Sequence, residues 1–112
     1  MSDELFANLE ITPSEVKQQI ERGEKLFFVD VREPWEYQLC HIEGSKLIPL
    51  GQVAASLPEF VRADNVVVFC HAGRRSMDAA AWLRSQGISG ARSMAGGIDR
   101  WSQEIDPRVP RY

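Results

Sequence analysis

Cys70 closes an apolar run, Val66-Val67-Val68-Phe69, and is followed by His71-Ala72-Gly73-Arg74-Arg75-Ser76. The anion of a cysteine is a nucleophile usable near neutral pH, and the residues after it are of kinds that hold an anion. Gly73 lets the backbone turn left-handed or approach a ligand closely. Arg74 and Arg75 offer bidentate forks to an oxyanion such as a sulfonate or thiosulfate, and His71 can supply a further donor. Through Ala72 to Ser76 the loop can aim backbone N–H groups inward, and a helix beginning there adds partial positive charge. Such a cradle stabilises a thiolate, which can attack a sulfane sulfur and then hold it as a persulfide anion. Taken alone, a cysteine ending an apolar strand also reads as a small buried hydrophobe, and paired arginines also read as solvated surface. The conjunction of strand end, nucleophile, glycine, two cations and helix start between Cys70 and Ser76 favours a site.

The elements that must position this loop alternate in type. Leu26-Phe27-Phe28-Val29-Asp30-Val31 and Val66 to Cys70 are short apolar runs without strict alternation, as in strands covered on both faces. Leu9–Ile11, Leu47–Ile48 and Arg92–Met94 are shorter strand candidates. Thr12-Pro13-Ser14-Glu15 spells a helix start, with Thr as N-cap, Pro at the first helical position and Glu three residues on; Gly23 stops that helix near Arg22. Further helices are expected over Pro34–Leu39, Gln52–Leu57, Met77–Gln86 and Ile98–Glu104. In the third of these, Ser76 is the expected cap, Met77, Ala80 and Ala81 share a face, and Gly87 lies past the end. Strands alternating with helices imply an α/β fold with about five strands in a mainly parallel sheet and helices on both faces. Ligands bind such sheets at the carboxyl ends of the strands, where Cys70 falls. The two prolines of Asp106-Pro107-Arg108-Val109-Pro110-Arg111-Tyr112 favour an extended strap packed over the surface.

At 112 residues the chain has the length of one domain, 1–112, with 106–112 as its extended tail. A formal charge of -3 gives no broad attraction to nucleic acid or anionic lipid. No apolar run approaches the roughly 20 residues of a membrane span, and Met1-Ser2-Asp3-Glu4 lacks the basic start of an export signal, so a cytoplasmic setting is expected. Cys40 and Cys70 read as thiols of a reducing compartment. Cys40-His41 and Cys70-His71 lack zinc-site spacing, and the pattern calls for no metal or cofactor. His41 reads as a structural histidine, Trp35 and Trp101 as packing residues, and Cys40 as inert, with a resolving thiol for Cys70 as the sharper alternative. Asp30 and Arg32 flank a strand end and read as an ion pair supporting the loop.

The stretch from Cys70 resembles the active-site loop of the rhodanese homology superfamily in its Cys-x-x-Gly-x-Arg-Ser form. The resemblance extends to Asp30-Val31-Arg32-Glu33-Pro34-Trp35-Glu36-Tyr37, to His41-Ile42-Glu43-Gly44-Ser45, where Ser45 replaces the more usual Ala, and to Gly96-Gly97-Ile98-Asp99-Arg100-Trp101. It implies a single rhodanese-like domain in which Cys70 accepts sulfur, the backbone from His71 to Ser76 cradles the persulfide, and Arg74 and Arg75 shape the charge preference for substrate. The implied activity is sulfur transfer from a small anionic donor such as thiosulfate to cyanide, a thiol or a sulfur-carrier protein. The tail resembles the ending of rhodanese domains fused to adenylyltransferases that activate sulfur carriers. Two alternatives accompany this reading. Related phosphatases use a Cys-x5-Arg loop, which would need Arg at position 76, where Ser76 stands. Other rhodanese-like domains have lost the cysteine and act as docking modules.

Overall fold

The computed structural model describes residues 8–112; the acidic start Met1–Glu4 lies outside the described residues. Its elements are β1 (Glu10–Ile11), α1 (Pro13–Glu21), β2 (Phe27–Asp30), α2 (Pro34–Leu39), β3 (Lys46–Leu47), a 3-10 turn (Leu50–Gln52), α3 (Leu57–Val61), β4 (Val66–Phe69), α4 (Arg74–Ser85), β5 (Arg92–Met94) and α5 (Gly97–Glu104). The five strands form one sheet in the order β1-β5-β4-β2-β3, with all neighbours parallel. From β2 the chain moves through α2 to β3 on one side, and from β4 it moves through α4 to β5 on the other. The ends of β2 and β4 therefore face a point where successive connections diverge, which leaves an open crevice in a parallel sheet.

Successive side chains of a strand point to opposite faces, and β4 is apolar on both. Val66, Val68 and Cys70 pack with Phe60 of α3 and Ala79, Ala80 and Leu83 of α4. Val67 and Phe69 pack on the other face with Val16 of α1 and Ile98 and Trp101 of α5. Phe28 of β2 joins that second core, its ring 4.7 Å from Phe69 and 6.0 Å from Trp101. Helix α1 starts as its sequence predicts: the Thr12 hydroxyl accepts from the Glu15 amide at 3.1 Å, and the Glu15 carboxylate accepts from the Thr12 amide at 3.0 Å.

Two helices depart from expectation. In place of a helix over Gln52–Leu57, the chain makes the 3-10 turn at Leu50–Gln52 and starts α3 only at Leu57, with Pro58 in its first turn. Proline favours the opening turn of a helix and cannot donate within its interior, which puts the start at this point. Helix α4 begins at Arg74, not Met77, and its cap is Gly73 at φ 109°, not Ser76. Its buried face is Ser76, Ala79, Ala80 and Leu83, with Met77 and Ala81 partly buried beside it. The left-handed turn at Gly73 bends the chain into helix three residues sooner than a Ser cap would.

A buried ionic network joins β2 to α2. The Arg32 and Asp30 side chains are both 0% exposed, and Arg32 donates to the Asp30 carboxylate from Nε and Nη2 at 2.9 and 2.8 Å. Arg32 also donates to the carbonyls of Cys40 and Glu36 and to the Tyr112 hydroxyl, at 2.7, 3.4 and 2.9 Å. Glu36 accepts a two-pronged pair from Arg75 at 2.7 and 2.9 Å and a hydrogen bond from Tyr112 at 2.6 Å. The Arg75 fork holds the Glu36 carboxyl down to about 2.

Two expected outcomes follow from these contacts. A carboxylate whose pKa is depressed in the fold contributes stability above its ordinary pKa, and that stability is lost as pH falls through the folded value. Urea unfolding should show wild type losing about 2 kcal/mol as pH drops from near 4.5 to about 2, a component absent in Glu36→Gln. The second concerns Gly97, whose φ is +59° and where an added Cβ would lie 2.3 Å from the Cys70 carbonyl oxygen and 2.5 Å from that of His71. Gly97→Ala should therefore cost about 2–4 kcal/mol in the same assay, and a loss below about 1 kcal/mol would refute the rigidity assigned to this contact.

Candidate active site

Strand β4 ends at Phe69, and alternation sends the Cys70 side chain toward the face that α4 covers. The backbone then has three residues, His71, Ala72 and Gly73, before α4 begins. Because the helix starts this early, Ser76 lies in its first turn, where backbone N–H groups have no partner within the helix. The Ser76 N–H points at Cys70 Sγ from 3.3 Å and the Gly73 N–H from 3.1 Å. The Ser76 hydroxyl stands 3.4 Å from Sγ and is itself fixed by the Gly73 carbonyl and by Ser93 Oγ of β5, at 3.2 and 2.7 Å. Cys70 is only 1% exposed. A sulfur on which two amides and the first turn of a helix converge is placed to carry negative charge.

Helix α5 holds the loop from the other side. Its first turn donates to the loop's carbonyls, Ile98 N–H to Cys70 at 2.9 Å and Asp99 N–H to His71 at 3.0 Å. These bonds satisfy N–H groups that a helix start leaves open, and they turn the carbonyls of Cys70 and His71 toward α5. Gly97 permits the approach, since any side chain there would collide with those carbonyls.

The residues singled out in the sequence come together at this crevice, with different roles in the geometry. Cys70, Gly73 and Ser76 build the buried cradle. Ala72 on the loop and Arg74 at the start of α4 are exposed. Among the described residues, no side chain pairs with Arg74. Arg75 is turned to Glu36, which pushes its guanidinium pKa up and occupies one edge of the fork, while Arg75 remains near enough to Cys70 for their charges to interact. The His71 ring stacks on Tyr112, centroids 4.1 Å apart and planes 11° apart. Asp30 and Arg32 form the expected ion pair beneath α2, beside the loop.

Three contributors were not singled out from sequence. Glu36 lies inside the Asp30–Tyr37 stretch, where a carboxylate one turn into a helix reads as a cap. Its N–H acceptor role to Glu33 at 2.9 Å is real, but the other oxygen contacts come from positions 75 and 112. Ser93 is a hydroxyl in a three-residue strand, legible only as an odd polar residue there. Tyr112 belongs to the strap, whose prolines predict surface packing but not that it ends against His71 and Glu36. Cys40 and Cys70 are both free thiols. They sit in cores on opposite faces of the sheet, which gives the resolving-thiol idea no support. Trp101 packs in the core, whereas Trp35 is 63% exposed at the rim. Among the described residues, no group of three or more metal-ligating side chains comes together, and no helix is long and apolar enough to cross a membrane.

Comparison with known proteins adds family relationships to this geometry. A Zea mays protein named "Adenylyltransferase and sulfurtransferase MOCS3-2" is 32% identical over 126 aligned positions, covering 100% of this chain and 26% of that one. The Mycobacterium tuberculosis protein "Probable adenylyltransferase/sulfurtransferase MoeZ" is 36% identical over 107 positions, covering 91% of this chain and 26% of its own length. The chain thus spans about a quarter of these relatives, 26% in each case. Among solved structures, a rhodanese-like domain protein from Staphylococcus aureus superposes with a TM-score of 0.78 at 27% identity, covering 92% of this chain and 97% of that one. The family model for the rhodanese-like domain matches residues 12–104, from the cap of α1 to the last residue of α5, so the chain belongs to the rhodanese-like domain family.

Proposed function

We propose that the protein is a sulfurtransferase that carries sulfane sulfur on Cys70. The observation that carries this reading is the cradle itself, with Cys70 Sγ under the N–H groups of Gly73 and Ser76 at the start of α4. Cys70 thiolate attacks the outer sulfur of a donor such as thiosulfate. The Cys70–S bond forms, the sulfur–sulfur bond of the donor breaks, and sulfite leaves with the bonding electron pair. An acceptor nucleophile, which is cyanide, a thiol or a sulfur-carrier protein, then attacks the outer sulfur of the persulfide, and Cys70 leaves as thiolate. The two half-reactions give ping-pong kinetics. The chemistry calls for no metal or cofactor and suits a cytoplasmic, reducing compartment that keeps Cys70 reduced.

Arg74 is exposed at the start of α4, three residues after His71, and offers a positive charge to an anionic donor. Arg75, anchored by Glu36, keeps its positive charge within interaction range of Cys70. The phosphatase alternative loses support at position 76. The residue there is Ser, buried and bonded to the Gly73 carbonyl and Ser93, in place of an arginine fork for phosphate.

Intact-mass measurement after thiosulfate should show a gain of one sulfur atom on wild type, removed by cyanide, and no gain on Cys70→Ser. Absence of the gain on reduced wild type would sink this reading and favour a docking role. Arg74→Ala should raise KM for thiosulfate roughly tenfold with a smaller change in kcat, the mark of a lost binding charge. An unchanged KM would remove Arg74 from donor binding.

A further inference from the structure

The segment from Asp106 to Tyr112 is held at four places. The Asp106 amide donates to the Trp101 carbonyl at 3.0 Å. Val109 is buried in the α1–α5 core, and its carbonyl accepts from the Ser102 hydroxyl. Arg111 pairs with Asp99 at 2.8 Å, on the helix that holds the active-site loop. Tyr112 then reaches the crevice, where it makes four separate contacts. Its ring stacks on His71 and meets Trp35 edge-on at 6.2 Å, while its hydroxyl donates to Glu36 at 2.6 Å and accepts from Arg32 at 2.9 Å.

The consequence lies one bond further on. Glu36 uses both carboxylate oxygens on Arg75, and the oxygen that faces Arg75 Nη2 is the one that Tyr112 also holds. Arg75 directly precedes Ser76, whose N–H donates to the Cys70 sulfur at 3.3 Å, and it lies close enough for the charge of Cys70 to bear on its own. A carboxylate pinned at both oxygens has one orientation available, and the fork it holds has one as well.

We propose that Tyr112 is a positioning residue of the active site, holding Glu36 so that Arg75 keeps its charge directed at the sulfur on Cys70, while its ring forms one wall of the mouth against His71. The stack and the hydroxyl are separable parts of this role. The ring covers His71, the first loop residue after Cys70; the hydroxyl acts through Glu36. The segment is thereby part of the site, and the anion preference of Cys70 depends on it. This inference rests on the sulfurtransferase reading only for its biological meaning; the charge relation it describes concerns a thiol and its neighbours.

The test compares two alkylating reagents of nearly equal size, anionic iodoacetate and neutral iodoacetamide, by their rates at Cys70 read from peptide masses. Their ratio reports positive potential at the sulfur and cancels changes in thiol access common to both. Tyr112→Phe keeps the ring and removes the hydroxyl, and the ratio should fall roughly three- to tenfold. Tyr112→Ala should lower it at least as far and also speed the neutral reagent, because the wall over His71 is gone. A Tyr112→Phe ratio within about twofold of wild type would overturn the positioning role. Sulfur loading from thiosulfate is followed in parallel on wild type. A fallen ratio in the variant with no loading in wild type upholds Tyr112 and overturns the sulfurtransferase reading. An unchanged ratio with normal loading overturns the role of Tyr112 alone.

Discussion

The crevice end of this protein depends on a guanidinium with no access to water. Arg32 is 0% exposed, and its five N–H donors go to the Asp30 carboxylate, the carbonyls of Cys40 and Glu36, and the Tyr112 hydroxyl. Burying an arginine is costly unless its charge is met and its donors are used, and removing one partner of such a pair commonly costs about 3–5 kcal/mol. Meeting those demands ties together the end of β2, both ends of α2 and the segment at 112. Among the described residues, no buried side-chain polar atom is left without a partner. The crevice can be polar at its floor because that accounting closes.

Two helix starts, approached from opposite sides, then shape the loop. Helix α4 turns its open N–H groups onto the Cys70 sulfur, and α5 turns its own onto the carbonyls of Cys70 and His71. The two sets of donors sort the loop's atoms by charge, carbonyl oxygens to one side and sulfur to the other. Both arrangements require a glycine in left-handed conformation, Gly73 at φ 109° and Gly97 at φ +59°. A side chain at either position would be strained by its backbone angles, and at 97 it would also strike the loop.

Charges from distant parts of the chain meet at Arg75. Its pairing with Glu36 fixes it without neutralising the pocket completely, because α4 contributes its own positive end and Arg74 stands free of that pair. The surface of the mouth is partly aromatic, with His71, Tyr112 and Trp35 in sequence across it.

Local sequence determined much of this. The alternation of apolar runs with capped helical stretches specified a parallel α/β sheet, because strands buried on both faces and helix caps are written in adjacent residues. The Cys70–Ser76 loop was legible for the same reason: strand end, nucleophile, glycine and helix start are neighbours in the chain. The register of α4 was not, since a serine and a left-handed glycine can each cap a helix, and the choice fell to how the loop packs against Gly96 and Gly97, 23 and 24 residues onward. Nor was the α3 start, where Pro58 outweighed the apolar pattern before it. Tertiary structure alone decided what surrounds the sulfur: Ser93 behind Ser76, Glu36 on Arg75, and Tyr112 on Glu36 and His71. Those contacts join residues 17, 39, 76 and 41 positions apart, and only sheet topology and the path of the final segment bring them together. Neighbouring residues can announce a candidate nucleophile and its loop, but the charged groups around it come from distant parts of the chain, and no local pattern encodes their meeting.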